Sequence, residues 1–320
     1  MTSSNRSAEL AVVLGTDRFE TIREVVSCLR GQTTPGQIEI VIAAPSRAAL
    51  GADESLLGDF WGVKVIEVGE IANLAPARAA GIRAAEAPVV FLGESHSYPQ
   101  PGWAEALIAA HRGDWAAVVP GIGNANPRTA FSWAGLLIDY GSWIHRLPPG
   151  EIRRFPTWNT AYKRDLLIAL GDRLEGLLGS GDALVHTLSA NGHRFYFESA
   201  ARLNHLNSSA FKRWAHEHYL SGLSIASSRM SDWSIWRRLA YLFGAPLIPV
   251  VVLSRSLRAL RATRRAVELP TWTIPAMFIG AVVSAAGEMV GYAGGSSAAA
   301  ELAMTELELH KLPAASSSAP

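Results

Sequence analysis

Cysteine is almost missing from this chain. Cys28 stands alone, which excludes an internal disulfide framework and fits a reducing compartment. Net charge is almost missing too. A formal value of +1 counts against a protein held to nucleic acid by phosphate neutralisation. The N-terminal MTSSNRSAEL is polar and lacks the apolar core of a signal peptide. No multi-glycine fingerprint follows the first apolar run. Acids near strand ends do not come as an evident pair, which argues against two-carboxylate glycoside hydrolysis. What remains is 320 residues, enough for one large domain or two ordinary ones with an ample core. The mean hydropathy of +0.14 is high for a soluble enzyme, and the excess lies toward the C-terminus.

Up to Trp103 the chain alternates between strand and helix patterns. Glu9–Leu14, Ile38–Ile42, Val63–Val68 and Val89–Leu92 read as strands, Phe19–Arg30 and Asn73–Ala85 as helices, and Ala52–Phe60 as helix or loop. Such alternation implies a mainly parallel sheet with helices on both faces. Further on come a helix at Trp103–His111, a strand at Ala116–Pro120 and an extended FPTWNTAY. A helix then opens at Asp182, and short strands at Phe195–Phe197 and Ala200–Leu203 end at Asn204-His205. Residues 121–149 are rich in Gly, Asn, Pro and Trp and show no clean period, as an acceptor-binding loop or a structural excursion would. The centre of the chain is VVFLGESHSYPQPGW, residues 89–103. A buried strand there ends in Glu94, Ser95 and His96, and an open α/β sheet places ligand chemistry at such strand ends.

The C-terminal third changes character. Leu239–Leu253 is apolar but interrupted by Pro246 and Pro249, and suits a re-entrant or interfacial segment. Thr273–Gly295 is long enough to cross a bilayer and carries Gly287-x-x-x-Gly291. Arg255, Arg258, Arg261, Arg264 and Arg265 between them could meet anionic headgroups on a cytoplasmic face. Glu288, the single charge in the second stretch, is costly in hydrocarbon and gives weight to a soluble helical subdomain, but two apolar segments flanking a basic linker favour membrane attachment.

Four segments together resemble family 2 glycosyltransferases of the GT-A fold, over about residues 9–207. AVVLGTDRFETIREVVSCLRGQT is similar to the family's first strand, loop and helix. LAPARAAGIRAAEAPVVFLGESHSYPQPGW is similar to its alanine-rich helix and metal-motif strand. TWNTAYKRDLL resembles the acceptor-side segment, and GSGDALVHTLSANGHRFYFESAARLNHLN the segment with the catalytic acid and a terminal histidine. GEMVGYAGG, further on, resembles membrane-associated members. Three positions differ from the family. Gly93-Glu94-Ser95-His96 stands where two aspartates are usual, Ala43-Ala44 where an aspartate often follows the second strand, and Gly181-Asp182 where Glu-Asp is common.

The resemblance implies a GT-A domain over residues 9–210, after a disordered stretch at 1–8. It implies a membrane-associated helical region at 211–295 and a partly disordered tail at 296–320. It implies a nucleotide-diphosphate-sugar donor bound by Gly15, Thr16, Asp17 and Arg78, and a divalent ion, Mn2+ or Mg2+, on Glu94, His96 and His205. An imidazole ligand suits manganese better than magnesium. Asp182 would be the general base, although Asp opening a helix would also serve as an N-cap. Trp158 and Asn159 would shape the acceptor site. The expected activity is inverting, metal-dependent transfer to a lipid-linked or polysaccharide acceptor at the cytoplasmic membrane face. The competing expectation is a degenerate GT-A scaffold without turnover, motivated by the missing acids at positions 93, 43 and 181.

Overall fold

Strand-forming runs of Val, Ile and Ala build the frame. The strands are β1 Leu10–Gly15, β2 Ile38–Ala44, β3 Gly62–Glu67, β4 Val89–Leu92, β5 Ser97–Pro99, β6 Ala117–Asn124, β7 Gly150–Ile152, β8 Thr160–Lys163 and β9 Phe195–His205. The helices are α1 Phe19–Arg30, α2 Arg47–Leu50, α3 Leu74–Ala84, α4 Trp103–His111, α5 Ala130–Tyr140, α6 Arg164–Ile168, α7 Arg173–Gly179, α8 Ala183–Ala190, α9 Phe211–Arg229, α10 Ile235–Gly244, α11 Ile248–Thr263, α12 Thr273–Gly294 and α13 Ala298–Leu309. The computed structural model describes residues 7–179, 182–230, 233–263, 268–295 and 298–311. Residues 1–6 of the N-terminus, Gly181, Arg264, Arg265 and the tail from 312 lie outside the described residues.

The chain divides into two compact units. The first takes residues 1–123 and 148–204, the second residues 124–147 and 205–320. The boundary cuts β6 and β9 at their last residues, so Asn124 and His205 are placed by the strands they end. A division at residue 210 does not anticipate that 124–147 clusters with the C-terminal helices.

Unit 1 is built on one nine-stranded sheet in the order β3-β2-β1-β4-β8-β6-β9-β5, with β7 beside β9. β1 pairs parallel with β2 and β4, and β2 with β3. β1, β2 and β4 are buried almost along their length, apolar but for Glu39 of β2, while β3 is half-buried and carries Lys64 and Glu67. The four strands up to β4 form the expected parallel part, and beyond it the sheet is mixed: β8 runs antiparallel to β4 and β6, and β7 antiparallel to β9. β8 starts level with the C-terminal end of β4, at Leu92↔Thr160, and runs back along it. A parallel neighbour would need a crossover at that edge. The two short strands expected between 195 and 203 are one eleven-residue strand, β9. The 52–60 region holds only a 3-10 turn, Glu54–Leu56.

The helices of unit 1 follow their patterns. α1 buries Phe19, Ile22, Val25, Val26 and Leu29 on one face, with Glu20 in its first turn and Arg30 in its last. α3 begins at Asn73, whose Oδ1 accepts from Ala75 N at 2.8 Å. It packs tightly on β1. A Cβ at Gly81 would come within 2.5 Å of Val13 Cγ1, and one at Gly15 within 2.9 Å of Leu74 Cδ2.

Unit 2 is helical: α5 and α9–α13. The stretch 121–149 was expected to be irregular, yet it holds α5. Thr129 Oγ1 accepts from Ser132 N at 3.2 Å, and Trp133, Ala134, Leu136 and Leu137 are buried. Apart from Gly135, the Gly, Asn and Pro that hide its period sit in its flanks. Ala134 and Leu137 join Trp214, Leu260, Ala276 and Met277 in one core cluster. Pro246 lies in a 3-10 turn, Ala245–Leu247, and Pro249 in the first turn of α11. A proline at such positions removes little helix bonding, so the helical path runs nearly unbroken from α10 into α11. By length and composition, Ile235–Arg258 and Thr273–Gly294 are each able to cross a membrane.

Candidate metal and nucleotide-sugar site

β4 delivers the central residues. Gly93 N–H still donates to Val13 O, at 3.0 Å, as the strand leaves the sheet. A Cβ at Gly93 would lie 2.7 Å from Leu14 Cδ2, so a side chain at this position would have to displace Leu14. The acid falls one residue later. Glu94 is 5 % exposed and His96 2 %, with His96 Nε2 3.7 Å from Glu94 Oε2. Ser97 Oγ donates to the same oxygen at 3.2 Å.

Asn159 secures Glu94 from the neighbouring strand. It is fully buried and is the only described non-glycine residue with positive φ, 54°. Asparagine tolerates this left-handed conformation better than most side chains. The turn lets its backbone N–H reach Leu92 O at 2.8 Å while Nδ2 donates to Glu94 Oε2 at 2.5 Å. Tyr162 OH to Thr157 O, 2.9 Å, and Thr160 Oγ1 to Pro156 O, 2.7 Å, brace the same loop. The Asn159 amide thus points at the carboxylate rather than outward to an acceptor. Trp158 carries the Arg78 guanidinium 3.7 Å above its ring, so both side chains have a structural contact in place.

His205 is the last residue of β9. One ligand atom from each of Glu94, His96 and His205 lies within 4.8 Å of the others, and all three residues are buried. Bonds of about 2.0–2.2 Å to one ion could close that spacing with small side-chain rotations. One carboxylate and two imidazoles leave open positions for phosphate oxygens, and they suit a transition ion better than magnesium.

Asparagines that sequence patterns did not single out fix the third imidazole. Asn207 Nδ2 donates to His205 O at 2.9 Å and to Asn124 Oδ1 at 3.2 Å. Its Oδ1 is therefore the atom 2.9 Å from His205 Nδ1. An amide oxygen can only accept, so His205 carries its proton on Nδ1 and presents the Nε2 lone pair. Ser132 Oγ lies 3.0 Å from Asn124 Oδ1 and 2.9 Å from Asn126 Oδ1 and donates its one proton to either, which supports the network. Its one advance signal is the density of asparagine in GNAN and NHLNSS.

The remaining expected residues sit elsewhere. Thr16 is buried at the end of β1, its N–H on Ala43 O at 3.0 Å and its Oγ1 on Arg18 O at 2.8 Å. Asp17 is half-buried, 3.3 Å from Arg18 Nε. Arg18, at the N-cap of α1, provides no side-chain cap. Asp182 occupies the N-cap position of α8, yet its exposed side chain makes no capping hydrogen bond. Ala43 and Ala44 are fully buried at the end of β2 and carry no polar group. Burial pushes the Cys28 thiol up to about 11, which keeps it an unreactive packing residue.

Comparison with known proteins agrees with this architecture. Residues 16–171, a little under half of the chain, match the family model Glycosyl transferase family 2. No curated protein sequence matches. Among solved structures, the mannosyltransferase PcManGT from Pyrobaculum calidifontis, in complex with GDP-Man and Mn2+, is similar at TM-score 0.55 and 18 % identity, over 88 % of this chain and 87 % of that one. S. aureus TarS 1-349 in complex with UDP aligns over 90 % and 92 % of the two chains, at 15 % identity and TM-score 0.48. Residues 16–171 thus resemble a glycosyl transferase family 2 domain, on a mixed α/β sheet with the fold of the mannosyltransferase, and together these support a glycosyltransferase.

Proposed function

We propose that this protein is an inverting, metal-dependent glycosyltransferase that takes its sugar from a nucleotide diphosphate. Its acceptor would be lipid-linked or polysaccharide, at the cytoplasmic face of a membrane. The observation that carries the reading is the buried Glu94–His96–His205 cluster at the end of β4. The mannosyltransferase of similar fold is described with GDP-Man and Mn2+, a pairing this donor set suits.

Glu94, His96 and His205 would hold the divalent ion, which supplies charge neutralisation for the departing diphosphate. Asn159 and Ser97 keep the Glu94 carboxylate aimed, and Asn207 keeps His205 in the tautomer that can ligate. The Gly15-Thr16-Asp17 turn would receive the nucleotide at the end of β1. Arg78, stacked on Trp158, would contribute positive charge toward the phosphates. Asp182 would take the proton from the acceptor hydroxyl as that oxygen bonds to the anomeric carbon. The bond from that carbon to the diphosphate oxygen breaks with inversion.

The test screens UDP- and GDP-sugars with manganese for thermal stabilisation and transfer. Stabilisation lost in Glu94→Gln and in His96→Ala, with turnover lost and binding kept in Asp182→Asn, is the expected pattern. Donor binding without transfer or donor hydrolysis in the wild type, unchanged in Asp182→Asn, would overturn the enzymatic reading in favour of a binding scaffold.

A further inference from the structure

Unit 2 carries a face that nothing among the described residues covers. Along α10, the 3-10 turn and α11, Trp236, Phe243, Leu247 and Val250 recur at helical spacing. They are 78, 78, 66 and 64 % exposed. Ile235 and Val251 flank them, also exposed. An apolar stripe of this length on a soluble surface marks a binding site. On the same face the stripe changes chemistry toward the C-terminal end, where Arg258 and Arg261 are exposed. Arg237 and Arg238 lie beside Trp236, and Arg255 begins the basic end. From Trp233 to Thr263 the chain has these five arginines and no acid.

The second long apolar helix cannot act as a free span. α12 is locked to α9 at three glycines. A Cβ at Gly222 would sit 2.0 Å from Ser284 O, one at Gly287 2.1 Å from Tyr219 O, and one at Gly291 2.5 Å from Ala226 Cβ. α9 carries Lys212, Arg213, Glu217 and Arg229, and Arg229 reaches back to Glu288 and Tyr292 of α12 at 3.5 and 3.2 Å. A helix crossing hydrocarbon with this partner would take those charges with it, at prohibitive cost. α12 is therefore held in unit 2 by its glycine face, with Phe278, Ile279, Val282, Met289 and Val290 partly exposed on the other, and the more fully exposed apolar surface is α10–α11.

We infer that the α10–α11 face seats on an anionic lipid leaflet and lies in the interface plane rather than crossing it. This rests on the membrane reading above. The apolar stripe enters the boundary between headgroups and acyl chains, and Trp236 occupies the interfacial level that tryptophan favours. The arginines meet anionic headgroups. A second copy fits this face poorly, because the stripe's basic end, Arg258 and Arg261, meets no acid on the same face of a second copy.

The full chain is mixed with phosphatidylcholine vesicles, with and without phosphatidylglycerol, and floated on a density gradient. Flotation with the anionic vesicles only, reversed by an alkaline carbonate wash, is expected. Arg258→Gln with Arg261→Gln should weaken binding roughly thirtyfold, and Trp236→Glu with Phe243→Glu should abolish it. Unchanged circular dichroism and Tm would show that these exposed sites leave the fold intact. Resistance to the carbonate wash would mean a spanning segment. Equal flotation with neutral vesicles would remove the role of the arginines. No flotation, or dimerisation lost in Trp236→Glu, would mean that another surface covers the face. Each of these three results overturns the proposal. Donor-induced stabilisation with manganese, read on the same preparation, reports on the glycosyltransferase chemistry separately.

Discussion

Asn159 spends backbone strain to hold one carboxylate oxygen. Its left-handed turn and its amide both serve the β4 end, so the two contributions can be separated. Asn159→Gly keeps the turn and removes the amide. Manganese affinity, measured by electron paramagnetic resonance of the free ion, should fall about 10–100-fold with little loss of Tm. An unchanged affinity would reduce Asn159 to a turn residue. Asn207→Leu removes the acceptor that fixes His205 and should weaken manganese by a similar factor. Asn207→Asp, which still accepts from Nδ1, should retain most of the affinity. If both variants bind alike, the tautomer argument fails. That Glu94, His96 and His205 fall at or just past strand ends is legible in the sequence, because residue type and strand-end position carry that signal, and the structure brings the three together. Asn207 was not legible, since its role lies in hydrogen bonds to Asn124 across the fold, and no local period encodes those. The capping alternative for Asp182 was legible as well, and the side chain does not take it up.

At the scale of elements, α4 contains a group that makes unit 1 sensitive to acid. Burial, with Lys163 nearby, pushes the His111 imidazole down to about 4 from 6.5. Between those values the unfolded chain binds more protons than the folded one, so stability falls as pH drops from about 6.5 toward 4. The loss is at most about 3 kcal/mol and is absent above this window. Urea midpoints taken across the window should flatten in His111→Gln relative to wild type, and parallel curves would refute the assignment. The α9–α12 contact gives a second measurable consequence. Gly287→Val must push against Tyr219 O and should cost about 3 kcal/mol or more. Gly294→Ala, which meets open space, should be neutral or slightly stabilising; equal effects would show that the helices yield. Elements with one unbroken period, such as α1, were readable in advance. α5 was hidden by its Gly- and Asn-rich flanks. The direction of β8 depends on which sheet edge the loop reaches, which composition does not record.

At the scale of the whole molecule, donor and ion should be linked to folding. A nucleotide sugar at a hundred times its Kd adds about 2.7 kcal/mol, a rise in Tm of several degrees for a chain of this size. Scanning calorimetry should find that rise with manganese and lose it with a chelator. A donor shift that survives chelation would separate nucleotide binding from the metal. The architecture also has a cost during synthesis. α5 packs its apolar face on Trp214, Leu260, Ala276 and Met277, all of which follow it in the chain after the last strands of unit 1. At about 5–20 residues per second, the ribosome delivers α5 on the order of ten seconds before α12 arrives. During that interval unit 1 can close around its sheet while Trp133, Leu136 and Leu137 still await their partners. The nascent chain therefore passes through a stage with a finished sheet and an orphaned apolar helix, the kind of intermediate that chaperones engage.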